Sequence, residues 1–203
     1  MLILGLESSG TTASCALTRD GKLIALYTQN NGLTHSTTLL PMLENMLRNC
    51  GVDKAELSAI AVSVGPGSFT GIRIGCATAK GLSFALGIPC RPVSSLEAIA
   101  YSDCAARNGE LISVETDARN DFVYNALFRR TDSGLVRLCG DRIINTDTLY
   151  EELSGFDGLA RHCAEVTAWG VLLAAENAPD AEPVPVYLRP SQAERILAER
   201  NKQ

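Results

Sequence analysis

Residues 61–75 read Ala61-Val-Ser-Val-Gly-Pro-Gly-Ser-Phe-Thr-Gly-Ile-Arg-Ile-Gly75, and this stretch decides the fold. It begins as an apolar strand, turns at Gly65 and Gly67, and continues as a helix that Ser68 can cap. A turn of this kind can place backbone N–H groups at a helix N-terminus, where phosphate binds well. The same glycines could instead let another helix approach closely. Phosphate binding and subunit docking are therefore both open at this point.

The rest of the first hundred residues alternates apolar strands with helices. Asp20-Gly21 is a hairpin signal, since Asp-Gly supplies the positive φ that such turns need. Apolar residues at helical spacing predict a helix over 37–50, in which Pro41 is tolerable only close to the start. The predicted order is strands 2–6, 12–18 and 23–29, helix 37–50, strand 59–64, a helix from Ser68 to about Leu86, strand 90–93 and a helix through Ala100.

This order predicts an α/β protein with the actin-like, ribonuclease H-like ATPase fold, by analogy with the repeat unit of that fold. Two subdomains are expected, an N-terminal one over 1–107 and a smaller, degenerate one over 108–203. In the second half, the pattern predicts strands 112–115, 123–129 and 136–139, helices 147–153 and 165–176, and a proline-rich loop over 179–185.

Composition narrows the classes of function. The net charge of -5 argues against this chain gripping nucleic acid by itself, because phosphate contacts need clustered Lys and Arg. The 7 cysteines show no C-x-x-C spacing and only 2 histidines are present, so we expect no metal and no cofactor. Buried thiols in a reducing cytosol are the preferred interpretation of the cysteines. The apolar run Met1–Glu7 is too short for a signal peptide or membrane span.

Two loops are candidates for nucleotide chemistry. Glu7, Ser8 and Ser9, between the first two strands, resemble the first phosphate loop of actin-like ATPases, although a tight hairpin with side-chain hydrogen bonds is the simpler interpretation. The turn after Val64 is not a Walker A loop, since Gly71 is followed by an isoleucine where that motif needs lysine.

Small residues recur every four positions along the helix after the turn, namely Gly71, Gly75, Ala79 and Ser83. Such a strip allows close approach of a neighbour, which could be another element of this chain or another subunit. Both alternatives remain open. We interpret His35 as a structural residue. The charged cluster over 117–121 is interpreted as a solvated turn.

Several motifs together resemble the TsaB (YeaZ) family of glycoprotease-like proteins. The resemblance covers most of the first 120 residues, is thin beyond them, and suggests that the chain stops earlier than the family does. The motifs are Leu4-Gly-Leu-Glu-Ser-Ser9, His35-Ser36 with Leu39-Leu40-Pro41, Gly65-Pro-Gly-Ser-Phe-Thr-Gly-Ile-Arg-Ile-Gly75, Ala79-Lys80-Gly81-Leu82, Val93-Ser-Ser-Leu96, Asp117-Ala-Arg119 and Tyr187-Leu-Arg189.

The resemblance implies a bacterial cytoplasmic subunit of the machinery that makes threonylcarbamoyladenosine beside the tRNA anticodon. It implies that the chain pairs with a TsaD-like catalytic paralogue and forms a homodimer when alone. Contact with a TsaE-like ATPase, and contact with tRNA, are expected only through the complex. The paralogue binds metal through a His-x-x-x-His motif, for which this chain has Ser95 and Ile99. Isoleucine offers no metal donor, so we expect a non-catalytic scaffold or activating subunit.

The resemblance also implies that the first two helices form the pairing surface, both with the paralogue and in a homodimer. The expected interface residues are Leu39, Leu40, Leu43, Met46 and Leu47 of the first helix, and Gly71, Ile72, Gly75, Ala79 and Ser83 of the second.

Two other functions compete with this one. An ATP-dependent phosphotransferase of the sugar-kinase type would need a second phosphate loop, and no convincing one follows residue 120. A peptidase is the least favoured, because neither an H-E-x-x-H nor a G-x-S-x-G motif is present.

Overall fold

Two β-sheets and five α-helices form the framework of the part of the chain that the structure describes. The computed structural model describes residues 1–102, 108–156, 159–162 and 164–190. The strands are β1 (Leu2–Glu7), β2 (Ala13–Arg19), β3 (Lys22–Gln29), β4 (Ala59–Ser63), β5 (Cys90–Val93), β6 (Leu111–Asp117), β7 (Phe122–Thr131), β8 (Gly134–Arg137), β9 (Arg142–Asn145) and β10 (Leu159–His162). The helices are α1 (His35–Asn49), α2 (Phe69–Leu86), α3 (Ser95–Ser102), α4 (Thr146–Leu153) and α5 (Ala168–Ala175), with a short 3-10 helix over Lys54–Glu56.

The first sheet has the strand order β3-β2-β1-β4-β5. The first three strands are antiparallel, whereas β4 runs parallel to β1 and β5 runs parallel to β4. Every residue of β1 is buried, as expected for a central strand that is covered on both faces. Leu4 at its middle lies opposite Leu17 on one side and Ile60 on the other.

Helices cover both faces of this sheet, and each face has its own apolar core. On one face, Leu39 and Met46 of α1 and Ile72 of α2 pack against Leu4 and Ile60. On the opposite face, α5 contacts all five strands of the sheet and also packs against α3. The core of that second face includes Ala61, Leu96, Ile99, Val171 and Leu172.

The second sheet is built from β10, β6, β7 and β8 in that order, with β9 pairing to β7. Helix α4 packs its buried Leu149 and Leu153 on this sheet. Although α5 lies within 108–203, it completes the core of the first sheet. The division into subdomains 1–107 and 108–203 stays a prediction. Helix α5 does not follow it, because it belongs to the second range but packs on the sheet of the first.

The order of elements through α3 agrees with the order expected from the sequence. Asp20 and Gly21 have φ values of 51° and 75°, as the hairpin signal required. Ser68 caps α2 by accepting a hydrogen bond from the N–H of Gly71 at 3.2 Å. At the other end of α2, Gly87 has a φ of 67° and serves as the left-handed C-cap.

Other boundaries were predicted wrongly. Helix α1 begins at His35, two residues before the expected start, so Pro41 lies inside the helix. Helix α4 begins at Thr146, one residue before the expected start, and Asn145 caps it. The pattern missed β9 and β10, and it placed β8 two residues too late and began α5 three residues too early.

The thiols of Cys15, Cys76 and Cys90 are buried and free, whereas the free thiols of Cys50 and Cys139, also predicted to be buried, are only partly so. Burial raises the pKa of Cys15 to about 12 and that of Cys76 to about 11, so both stay protonated at neutral pH. Cys104 and Cys163, also predicted to be buried, lie outside the described residues. Within the described ranges, no helix has both the length and the apolarity needed to cross a membrane.

Candidate docking face and cleft

The glycines of the turn before α2 are needed for packing within the chain. A Cβ atom on Gly67 would lie 2.5 Å from the carbonyl oxygen of Ser9, and one on Gly71 would lie 1.9 Å from that of Ser8. Gly65 has a φ of 108°, which disfavours any other residue. The N–H of Ser68 donates to the Ser9 carbonyl at 2.7 Å. The turn therefore packs against the β1–β2 loop, so close that side chains are excluded.

The strip of small residues on α2 faces the same loop and the first sheet. A Cβ on Gly75 would approach Ser8 Oγ to 2.6 Å, and Ala79 is buried in the core. Half-buried Ser83 lies near the end of the strip, where its hydroxyl donates to the Ile88 carbonyl at 2.5 Å. Of the two alternatives left open by the sequence, the structure shows close approach to an element of the same chain.

Most residues expected at the subunit interface lie in the core of this chain. The reason is that the apolar face of an amphipathic helix covers its own sheet first. Among the residues predicted on α1, Leu40 is the exception, with 46% of its surface exposed. The buried members of the predicted interface are Leu39, Leu43, Met46, Leu47, Gly71, Ile72, Gly75 and Ala79.

The opposite face of α2 is exposed, and it carries one large apolar side chain. Phe84 is 92% exposed, although it belongs to a helix packed on the core. The exposed residues Arg73, Ala77 and Lys80 precede it at helical spacing on the same side of α2. Sequence reasoning missed Phe84, although its position off the inward small-residue face was a readable signal. We call Arg73, Ala77, Lys80 and Phe84 the outer face of α2.

A buried carboxyl group ends β1. Glu7 is fully buried, and its Oε1 accepts hydrogen bonds from the backbone N–H and the hydroxyl of Ser9, the latter at 2.6 Å. Its Oε2 has no hydrogen-bond partner among the described residues. Burial raises the pKa of Glu7, while the bonds from Ser9 oppose this shift in part. The loop that resembles a phosphate loop is thus held by its own side chains.

Ser95, which the resemblance sets against one histidine of the paralogue's metal motif, bonds to the same Ser9 hydroxyl that donates to Glu7. Ser95 Oγ is 2.7 Å from Ser63 Oγ and 3.0 Å from Ser9 Oγ, within a buried hydroxyl cluster. Ile99 is a core residue of the second face of the sheet. Across the described ranges, no three His, Cys, Asp or Glu side chains are placed to hold a metal ion.

A cleft of about 810 Å³ opens between the two sheets, with the β1–β2 loop and the glycine turn in its wall. Glu165, just before α5, accepts a hydrogen bond from Thr12 Oγ1 at 2.6 Å and one from Thr11 Oγ1 at 3.2 Å. A carboxylate therefore already engages two hydroxyls of the β1–β2 loop. His35 Nε2 lies 2.9 Å from the Gly10 carbonyl and fixes the loop from the other side, a structural role as predicted.

A strap formed by residues 180–190 closes one side of the cleft. Tyr187 stacks on Phe69 with ring centroids 3.9 Å apart, and Arg73 Nε donates to the Tyr187 hydroxyl at 2.8 Å. Arg189 donates to the carbonyl of Ala118 at the far side. The strap therefore links α2 to the end of β6.

The charged cluster after β6 forms a tight turn. Arg119, Asn120 and Asp121 all have positive φ values between 54° and 66°, and Asp117 Oδ1 accepts a hydrogen bond from the N–H of Arg119 at 2.7 Å. This agrees with its interpretation as a solvated turn, although Arg119 also borders the cleft.

The strand order and the helices on both faces define an α/β protein of the actin-like, ribonuclease H-like class, as predicted. Comparison with known proteins identifies the family within this class. The sequence profile described as "TsaD: tRNA N6-adenosine threonylcarbamoyltransferase" matches residues 29–169. The chain belongs to this family, and its relatives place it on the TsaB (YeaZ) side of it.

Two curated relatives and one solved structure support that placement. The Bacillus subtilis protein "tRNA threonylcarbamoyladenosine biosynthesis protein TsaB" is 37% identical over 142 residues, which cover 70% of this chain and 61% of the relative. The protein of the same description from Haemophilus influenzae is 35% identical, covering 61% of this chain and 52% of the relative. The matches thus span only about half to three-fifths of those relatives. "YeaZ from Pseudomonas aeruginosa" superposes with a TM-score of 0.77 at 26% identity, covering 92% of this chain and 99% of that one.

Proposed function

We propose that the chain is a non-catalytic subunit that pairs with a TsaD-like catalytic paralogue for threonylcarbamoylation of the adenosine next to the tRNA anticodon. Its kinship with TsaB proteins supports the pathway. In this proposal, the subunit works in the cytoplasm, meets tRNA and a TsaE-like ATPase only through the complex, and carries no cofactor.

The observation that carries the non-catalytic role is the chemistry at Ser95 and Ile99. A hydroxyl bonded to two other serines and a core isoleucine provide no ligand pair for a metal. Nucleotide chemistry in the cleft is opposed as well, since the Glu165 carboxylate engages the hydroxyls of the β1–β2 loop and would repel a phosphate there.

The outer face of α2, extended by Leu40 of α1, is the proposed docking surface for the paralogue. Burying an aromatic side chain as exposed as Phe84 is strongly favourable, and aromatic anchors dominate the energy of protein interfaces. The buried faces of α1 and α2 support this surface from within by fixing both helices on the sheet.

Replacing Phe84 by glutamate should abolish co-purification with the catalytic paralogue, because it removes the anchor and places a charge at the centre of the contact. A loss of about 2 kcal/mol or more, at least roughly 30-fold in Kd, is typical of such an anchor. The tRNA modification assay of the mixed proteins should fall in parallel. Neither protein should modify tRNA in the absence of the other.

Phe156→Glu is the matched control, since Phe156 is 47% exposed and follows α4 on the second sheet. It should bind and activate like the unaltered chain. Equal binding by the Phe84 variant would refute the docking surface, and full modification by the paralogue alone would refute the function.

A further inference from the structure

On the side of the first sheet, the wall of the cleft is rich in hydroxyl groups whose protons are already bound within the chain. The cleft has a volume of about 810 Å³, in the range of sites for small organic ligands. Thr11 and Thr12 donate to the Glu165 carboxylate, at 3.2 Å and 2.6 Å between oxygen atoms. Ser9 donates to Glu7 at 2.6 Å. Because carboxylates only accept, the protons of these three hydroxyls do not point at a ligand.

The same direction of donation continues from Ser9 to the two neighbouring serines. Because the Ser9 proton is bound to Glu7, Ser95 is the donor in the 3.0 Å contact between the hydroxyl oxygens of Ser95 and Ser9. Ser63 is then the donor to Ser95 at 2.7 Å. Ser9 and Ser95 line the cleft and are only 4% and 2% exposed. Their hydroxyls therefore offer a ligand oxygen lone pairs but no proton.

Two carboxyl groups add negative charge to this wall. Glu165 is exposed and lines the cleft, whereas Glu7 is fully buried and bonded to the Ser9 hydroxyl. Within the described residues, Oε2 of Glu7 has no hydrogen-bond partner, and neither carboxyl group takes part in an ion pair. Buried carboxylates are ordinarily paired with a cation. The wall therefore suits a positively charged hydrogen-bond donor.

The arginines that line the cleft lie at its other wall, on the side of the second sheet. Arg189, on the strap, donates to the Ala118 carbonyl, and its guanidinium carbon is 5.2 Å from the centroid of the Phe122 ring. Arg119 follows β6 on the same side. A cationic group in the cleft is therefore directed away from these arginines and toward the wall of the first sheet.

We propose that the cleft binds an organic amine, whose ammonium group is held by the wall that Ser9, Ser95 and Glu165 form. An ammonium group carries three donors and no acceptor, which matches a wall of acceptors whose own protons are bound elsewhere. Hydrogen bonds from an ammonium to a carboxylate are about twice as strong as those between neutral groups. None of the three residues belongs to the outer face of α2, so the site does not depend on docking to the paralogue.

The test is titration calorimetry of the full chain with putrescine and with spermidine. Both amines should bind saturably, whereas butanediol, a neutral analogue of putrescine, and inorganic phosphate should not. Glu165→Gln should weaken amine binding at least about tenfold, because it removes the charge that the ammonium group contacts. Glu44→Gln is the matched control: Glu44 is exposed on α1 and lies outside the cleft, so this variant loses the same charge and should bind like the unaltered chain.

NMR spectroscopy provides the second readout and locates the ligand. The amide signals of Ser9, Thr11 and Ser95 should shift on addition of putrescine, and they should stay in place in the Glu165→Gln variant, whose unliganded spectrum should otherwise match that of the unaltered chain. The proposal fails if neither amine binds saturably at millimolar concentration, or if butanediol binds as well as putrescine. Equal weakening in both glutamine variants would also overturn it, since that result shows a general attraction of amines to an acidic chain.

Discussion

The burial of the Glu7 carboxyl group could not be predicted from the sequence. Its identity suggested a ligand to nucleotide, yet the structure gives it a buried position with one oxygen that has no partner among the described residues. Whether a carboxyl group is exposed or buried depends on the strands around it, and an apolar pattern does not specify that at a loop. The serines next to it were visible as candidates, but the hydroxyl cluster of Ser9, Ser63 and Ser95 forms only when β1, β4 and α3 meet.

The burial of Glu7 predicts a pH dependence of stability. Its folded-state pKa is raised above the ordinary value of 4.5, so the folded protein holds a proton that the unfolded chain loses. The resulting stability is fully present below pH 4.5 and is lost as the pH rises through the folded-state pKa. Between those two pKa values, the free energy of unfolding should fall by about 1.4 kcal/mol for each step of one in pH.

Urea unfolding at a series of pH values above 4.5 measures this effect. Glu7→Gln keeps the shape and the acceptor for Ser9 but does not titrate. The variant should show a flatter profile and gain relative stability at high pH. Identical profiles for the two proteins would contradict the burial argument.

At the scale of elements, helix α2 has one face packed against the core and an outer face that is exposed. The repeat of small residues and the cap were readable from the sequence because they are local features. The neighbour that the small-residue face contacts could not be predicted. That face packs on the loop between β1 and β2, and the contacting residues Ser8 and Gly71 are 63 positions apart in the sequence. The short strands β9 and β10 were missed for a similar reason: each has 4 residues, too few for a periodic pattern to show.

Two glycines of α2 test this asymmetry. Gly71→Ala should destabilise the protein by about 1–3 kcal/mol or more, because its Cβ would lie 1.9 Å from a backbone oxygen that has little freedom to move. Gly81→Ala should instead stabilise by about 0.5–1 kcal/mol, since nothing lies within 4 Å of a Cβ there and alanine favours the helix. Denaturant midpoints of the two variants should therefore shift in opposite directions. A shift of the same sign in both would contradict the packing.

At the scale of the whole molecule, the fold class was predictable because each element through α3 has a recognisable local sequence pattern, and because the order of these elements is distinctive. The relation between the halves was not predictable. Sequence placed a boundary near residue 107, whereas α5 packs on β1, β2 and β4 of the first sheet. No local pattern indicates which sheet an apolar helix such as Ala168–Ala175 will cover.

The fragment 1–107 should therefore not fold independently. Without α5, one face of the first sheet loses the cover supplied by Ala168, Val171, Leu172 and Ala175, all buried in the full chain. Near-ultraviolet circular dichroism and amide dispersion in NMR spectra should show no fixed tertiary packing in the fragment. Cooperative unfolding of the isolated fragment would show that the predicted boundary is a true domain boundary.

The position of α5 also has a consequence for synthesis of the chain on the ribosome. The last strand of the first sheet ends at Val93, but the helix that seals its second face begins at Ala168. At a rate of synthesis of about 5–20 residues per second, this interval corresponds to roughly 4–15 s during which α5 does not yet cover the nascent sheet. Apolar side chains of β1 and β4 are then available to chaperones, so maturation of the nascent chain is expected to depend on them until α5 has emerged.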